Sequence, residues 1–322
     1  MTRAPEEGPT KPPALNGTGP DVPPAGAGPG KRSGFVGVVG RPNVGKSTMV
    51  NWFVGSKVTI VTPHPQTTRQ RIAGVVHRAD AQIVFLDTPG FHKPQHSLGR
   101  SMMEVTKAVL DDADVLLMAI DAKAGIRAED EYLFDRVRRS GRPALLAVNK
   151  IDLVKKPLLL PLLDAAAKRG IFRECVPVSA QTGEQMEVLL DRLIACLPAG
   201  PAWFEAGQRT DQQTTQRVGE LIREQILLVT RQELPHAIAV LIEEITVEER
   251  LTRIRAVVFV ERPGQKAIVI GRAGARLKAA GQAARAELEA LLGRHVYLDL
   301  WVKVKPDWRS DPRVLRELGY LP

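Results

Sequence analysis

The chain reads as two folded domains behind a tail. The first is an α/β domain on a doubly wound, mostly parallel sheet; the second is a smaller α+β domain. Three observations predict this. Over residues 34–198, short apolar runs alternate with helix-length amphipathic segments, the pattern of successive βαβ units. One such run, residues 35–39, leads through a glycine-rich loop into a helix-compatible stretch, residues 48–53. Beyond residue 214 the order becomes α-β-β-α-α-β, with helical spacing over 215–230 and 275–292 and strand alternation over 237–247, 252–261 and 296–304.

The remaining elements follow in order. Residues 1–33 are rich in Pro and Gly with few aliphatics, so they cannot offset ordering entropy and are expected to be disordered. Residues 71–77 pair antiparallel with 82–86 at the sheet edge. Residues 199–214 are a linker, and 215–322 form the second domain. The two cysteines, Cys175 and Cys196, are expected as buried free thiols in a reducing compartment.

Four strings carry the chemistry of the first domain. Gly40-Arg41-Pro42-Asn43-Val44-Gly45-Lys46-Ser47 is a phosphate-binding loop. Gly40 and Gly45 let the backbone curl so that successive N–H groups, including those around Asn43 and Val44, face phosphates, and Thr48 opens the helix behind them. Lys46 reaches the β- and γ-phosphates, and the Ser47 hydroxyl sits on Mg²⁺. Asp87-Thr88-Pro89-Gly90 ends a second buried strand: Asp87 holds Mg²⁺, and the Gly90 N–H meets the γ-phosphate. Asn149-Lys150-Ile151-Asp152 ends a third. The Asp152 carboxylate accepts from guanine N1–H and the 2-amino group, a donor pair adenine lacks. Asn149 supports base and loop, and Lys150 lies along the ring. Ser179-Ala180 follows a fourth strand and turns the Ala180 N–H toward guanine O6.

Residues 63–69 lie where a nucleotide-sensing switch belongs. Thr67 or Thr68 completes the Mg²⁺ shell, with Thr68 favoured. Phe91 follows Gly90 where many GTPases carry a water-orienting Gln, so intrinsic hydrolysis should be slow or use another device. Asn43 is a candidate holder of a K⁺ ion beside the phosphates. Arg69 is read as a charge donor or, by preference, a solvated side chain. His92 and His96 are read as loop residues.

The formal charge of +9 favours a polyanionic partner. The local pattern is sharper. Residues 262–285 hold six basic side chains and no acidic one, around Gly271-Arg272-Ala273-Gly274, a turn that brings backbone N–H groups to a nucleic-acid backbone. Lys266, Gly271, Arg272, Gly274, Arg276 and Lys278 are the candidate RNA contacts, and Arg285 belongs to the same run. No apolar run approaches the ~18–20 residues of a membrane helix, and the N-terminus has no apolar signal core, so a cytoplasmic monomer is expected, with peripheral contact at a membrane inner face as an alternative.

Both halves together resemble the Era family, bacterial ribosome-assembly GTPases with a C-terminal KH domain. The strings that carry the resemblance are Gly40 through Thr48, Pro65-Gln66-Thr67-Thr68-Arg69, Gly264-Gln265-Lys266, Val269-Ile270-Gly271 and Leu300-Trp301-Val302-Lys303-Val304-Lys305. The resemblance covers nearly the whole chain except the tail. It implies a type II KH fold, GTP/GDP and Mg²⁺ as ligands, binding near the 3′ end of 16S rRNA, and a role in maturing the small (30S) ribosomal subunit. Two other readings stand beside it: a KH module with GTP as a structural ligand, and a membrane-associated signalling GTPase.

Overall fold

The structure, a computed structural model, describes residues 31–91, 96–230 and 237–321. The expected disorder over most of the tail, and the reading of His92, lie outside the described residues. The first strand begins at Arg32, two residues inside the expected tail.

Six strands form the first sheet: β1 (Arg32–Gly40), β2 (Ile72–His77), β3 (Ala81–Asp87), β4 (Val115–Asp121), β5 (Ala144–Asn149) and β6 (Glu174–Pro177). Their order is β2-β3-β1-β4-β5-β6, and all neighbours are parallel except the β2–β3 hairpin, as the sequence predicts. A sheet covered on both faces needs apolar residues at both alternations, which is why these strands read as continuous apolar runs. In β4, Val115, Leu117 and Ala119 join α1 (Lys46–Val54) and α5 (Met186–Cys196) in one core. Leu116, Met118 and Ile120 join α2 (Ser97–Asp112), α3 (Ala128–Ser140) and α4 (Leu159–Ala167) in the other. Gly40, Asp87, Asp121 and Asn149 close their strands on the same edge of the sheet, where ligands of open α/β sheets bind.

The expected linker does not hang free. Gly200 N donates to Lys31 O (3.1 Å), and Val75 N to Arg209 O (2.9 Å), so the segment bonds to β1 and to the outer edge of β2. The Gln82 side-chain oxygen Oε1, on β3, accepts the Trp203 and Phe204 amides (2.6 and 3.0 Å). The Val75 bond uses a backbone group of the edge strand β2 that would otherwise face solvent. Cys175 and Cys196 are free, and half-buried where full burial was expected.

In the second domain, β7 (Ala239–Val247), β8 (Leu251–Val260) and β9 (His295–Val304) form a sheet of that order, antiparallel then parallel. Helices α6 (Thr214–Thr230), α7 (Pro263–Ile270) and α8 (Ala275–Leu292) cover one face. This is the expected α-β-β-α-α-β order. The sequence reading missed α9 (Pro312–Glu317), which with Trp308, Leu315 and Tyr320 covers part of the other face. Leu98 and Met102 of α2 belong to that same cluster, so apolar packing crosses from one domain to the other. Trp308 is fully buried there, and its indole N–H donates to Ala237 O (3.0 Å).

Candidate nucleotide site and nucleic-acid interface

The phosphate-binding loop is shaped by its glycines. Gly45 has φ 101°, and a Cβ there would lie 2.2 Å from Asn149 Nδ2. Gly90 approaches the loop so closely that a Cβ would lie 2.7 Å from Pro42 Cα. Asn43 itself is left-handed (φ 63°), and its Nδ2 donates to Pro63 O (2.9 Å), joining the loop to the switch segment. Lys46 is buried, with Nζ donating to Gly40 O (3.0 Å) and Arg41 O (2.9 Å). Burial pushes its ammonium down to about 8, against the opposing pull of Asp87. Val44 is buried beneath the loop, and Thr48 lies half-buried in the first turn of α1.

Three oxygen groups converge below Lys46. Ser47 Oγ donates to Asp87 Oδ2 (2.7 Å), and Thr68 Oγ1 lies 3.0 Å from Ser47 Oγ and 3.4 Å from Asp87 Oδ2. Asp87 is fully buried, and burial pushes its carboxyl above the usual carboxylate range despite Lys46 and the two hydroxyls. Its Oδ1 is buried with no hydrogen-bond partner among the described residues. Two hydroxyls and a carboxylate with an oxygen left over are hard donors of the kind Mg²⁺ takes, so the set fits that ion. Thr67 is turned away: its Oγ1 meets Thr62 Oγ1 (2.6 Å) and His64 O (2.7 Å). Of the two threonines left open by the sequence, the geometry favours Thr68.

The base-side residues form one latch. Asn149 Nδ2 donates to Val44 O (2.8 Å), and its Oδ1 accepts the Ala180 amide (3.0 Å), so the N–H expected to face guanine O6 is here taken by Asn149. Asp152 sits in a 3₁₀ turn after β5, exposed, with Oδ1 accepting from Ser179 Oγ (2.6 Å). Lys150 joins the phosphate loop to the end of β4, donating to Asn43 O (2.6 Å) and Asp121 Oδ2 (2.7 Å). Burial raises the Asp121 carboxyl, but bonds from Lys150 and the Ala124 and Lys123 amides outweigh it and hold the group below its usual range. Phe91 stacks on Tyr132 of α3, ring centroids 4.6 Å apart, and packs against the α2–α3–α4 core.

The reading of Arg69 changes, while His96 is a loop residue as expected. Arg69 is neither solvated nor beside the phosphates. It is buried between the domains, donating to Ile238 O (2.7 Å) with its guanidinium over the Trp308 and Tyr320 rings (5.5 Å each). Those partners lie 169 to 251 residues away, so no local pattern announces them. His96 caps the start of α2, its Nδ1 accepting from Gly99 N (3.2 Å), which gives this loop residue a definite task.

In the second domain, Gly271 (φ 74°), Ala273 (φ 50°) and Gly274 (φ 78°) make the turn between α7 and α8. A Cβ on Gly271 would lie 2.8 Å from Arg276 Cγ. Arg276 donates to Ile268 O (3.2 Å), so it braces the end of α7 as well as facing the turn. Arg272, Lys278 and Arg285 are exposed and Lys266 is half-buried. From the turn runs a groove of about 420 Å³ between α8 and the edge strand β9. Gly274, Lys278, Gly281 and Arg285 line one wall; Tyr297, Leu298 and Leu300 line the other. The β9 wall escaped the sequence reading because its side chains join α8 only through the β8–β9 pairing, although the alternation of residues 296–304 was visible.

The family described as 50S ribosome-binding GTPase matches residues 35–150, and the KH domain matches residues 233–309. A crystal structure of Era in complex with MgGDPNP and nucleotides 1506–1542 of 16S ribosomal RNA is 41% identical, with TM-score 0.88, over 91% of this chain and 100% of its own. A single-residue variant of Aquifex aeolicus Era, bound to GDP·AlF₄⁻, is likewise 41% identical, with TM-score 0.88, over 90% of this chain and 100% of its own. The chain belongs to the Era family.

Lys46 gives the site a pH signature. With the ammonium lowered to about 8, it should be partly lost above that pH in the free protein, and a bound phosphate should restore it. GDP binding at pH 8.5 should therefore take up a fraction of a proton, and affinity should fall as pH rises through about 8. Calorimetry in buffers of different ionisation enthalpy reads this directly. The Lys46→Gln protein should take up none, and no uptake by the unaltered protein would contradict the assignment.

Proposed function

We propose that the chain is a GTP-hydrolysing switch that engages the 3′-terminal segment of 16S rRNA through its KH domain and assists maturation of the small ribosomal subunit. The observation that carries this is the chain-long match to an Era structure holding both MgGDPNP and that RNA segment. The GTPase reading is supported by the second match, to an Era protein bound to GDP·AlF₄⁻. The matched GTPase family is described by the large subunit. The small-subunit reading rests on the match that spans both domains.

In this reading residues 34–198 are the GTPase domain, 199–214 its tethered connection, and 215–322 the RNA-binding domain. Gly40, Asn43, Val44, Gly45, Lys46, Ser47 and Thr48 hold the phosphates; Asn149, Lys150, Asp152, Ser179 and Ala180 hold the base. Ser47, Thr68 and Asp87 are the residues that would hold Mg²⁺, which when bound neutralises charge on the β- and γ-phosphate oxygens. Lys46 would place a cation on the same oxygens, and Gly90 would offer an N–H to the γ-phosphate. The Phe91 ring, stacked on Tyr132, has no group to orient a water, which supports slow intrinsic hydrolysis. The device we assign in its place is a K⁺ ion beside the phosphates, held with the help of the Asn43 side-chain oxygen. The Asn43 amide nitrogen is engaged by Pro63, so the oxygen is the end available for this.

The protein acts in this reading as a cytoplasmic monomer. Placement at a membrane surface ranks second, because an anionic lipid face would not require the groove between α8 and β9. No helix among the described residues is long and apolar enough to cross a membrane.

Two measurements test the reading. An oligonucleotide from the 16S rRNA 3′ end should bind more tightly than its scrambled counterpart at equal salt. Lys278→Ala should weaken binding to both and lower the slope of log affinity against log salt by about 0.7, one single-strand phosphate contact. Equal binding of the two oligonucleotides would leave only a basic GTPase. GTP turnover should be faster in K⁺ than in Na⁺, and Asn43→Ala should abolish that difference; equal rates in all four combinations would remove the cation from the mechanism.

A further inference from the structure

Residues 57–70, which contain the switch segment, are held from the far side by the second domain. Lys57 pairs with Glu224 of α6 and Glu287 of α8 (2.6 Å to the latter), and Val61 N donates to Glu224 Oε1 (2.9 Å). Ile60 belongs to the apolar core of the second domain, and His64 Nε2 meets Leu227 O (3.2 Å). Arg69 and Gln70 reach Ile238 O and Gly319 O. One of these contacts touches the residue next to the magnesium-side threonine: Arg223 Nη2 of α6 donates to Thr67 O.

We infer that Arg223, a residue of the KH domain, is a positioning residue for the GTP-bound state, holding the Thr67–Thr68 peptide so that the Thr68 hydroxyl points at Ser47 and Asp87. The Thr67 carbonyl and Thr68 Cα lie in one rigid peptide plane, so fixing the carbonyl restrains the direction in which Thr68 leaves the chain. Thr67 Oγ1 is locked into its own loop by Thr62 and His64, which leaves the backbone carbonyl as the handle. Arg223 is fit for this. It is fully buried, and Glu220 grips its guanidinium through Nε (2.8 Å) and Nη2 (2.5 Å), which fixes the fork. Its Nη1 is buried with no hydrogen-bond partner among the described residues. A buried cation with an orphan donor costs folding free energy that an apolar chain of the same length would avoid. Stability alone does not explain its place, whereas orientation of Thr67 does.

The consequence is selective. In the GTPase reading above, on which this inference rests, Thr68 is used only when a γ-phosphate is present. Loss of Arg223 should therefore weaken GTP binding and leave GDP binding nearly intact.

The test compares Mg²⁺-dependent affinities of the full chain for GDP and a non-hydrolysable GTP analogue. In Arg223→Met the analogue should bind about tenfold or more weakly while GDP changes by no more than about twofold, a differential effect that only a state-specific contact produces. Arg217→Ala, which removes another α6 contact to the same segment (Lys57 O, 3.4 Å), should keep the unaltered ratio. Equal losses for both nucleotides, an unchanged ratio, or the same selective loss in Arg217→Ala would each overturn the inference. If Arg223→Met does not fold, Glu220→Gln, which loosens the same guanidinium, decides by the same ratio. Failure of the unaltered protein to bind either nucleotide would instead remove the guanine-site reading itself.

Discussion

Residues 57–70 are bonded on both sides at once. Toward the first domain, Thr68 meets Ser47 and Asp87, and Pro63 meets Asn43. Toward the second, Lys57, Val61, His64, Thr67, Arg69 and Gln70 all meet α6 or the C-terminal region. A segment with two sets of partners cannot satisfy one set while moving freely against the other. The position of the RNA-binding domain and the geometry of the phosphate site therefore constrain each other. The linker tied along β1 and β2 reinforces this, because it shortens the distance over which the domains can separate.

Electrostatics divide the same way. The proposed nucleotide site and the seam behind it keep their charges in buried or half-buried, mutually compensating sets: Lys46 with Asp87, Lys150 with Asp121, and Arg223 with Glu220. The RNA face leaves Arg272, Lys278 and Arg285 exposed, with no acidic residue in that stretch. Fixed, desolvated charge suits a ligand held in one geometry. Exposed, acid-free charge suits a long polyanion that releases counterions on binding.

The proposed nucleotide site could be read from the sequence because such a ligand imposes spacing, and the structure brings the residues so read together. A phosphate loop needs glycines where Gly40 and Gly45 stand, and a guanine reader needs a carboxylate just past a strand, where Asp152 stands. The parallel sheet was legible for a related reason, since strands covered on both faces must be apolar throughout. The seam was not legible. Arg69 looks like any polar loop residue until Trp308 and Tyr320 fold over it, and Arg223 looks like an ordinary i, i+3 partner of Glu220 until Thr67 arrives beneath it. The choice between Thr67 and Thr68 needed the same long-range information. So did the β9 wall of the groove and helix α9, whose short amphipathic pattern becomes meaningful only against α2.

A thermodynamic cycle addresses the mutual constraint most directly. It measures affinity for the 16S rRNA 3′ oligonucleotide with GDP and with a non-hydrolysable GTP analogue bound, and the affinities for both nucleotides with and without the oligonucleotide. If the shared segment couples the two sites, the nucleotide preference of RNA binding and the RNA preference of nucleotide binding must be the same factor, different from one, because linkage is reciprocal. A factor of one on both arms would mean that residues 57–70 join the domains mechanically but carry no information between them.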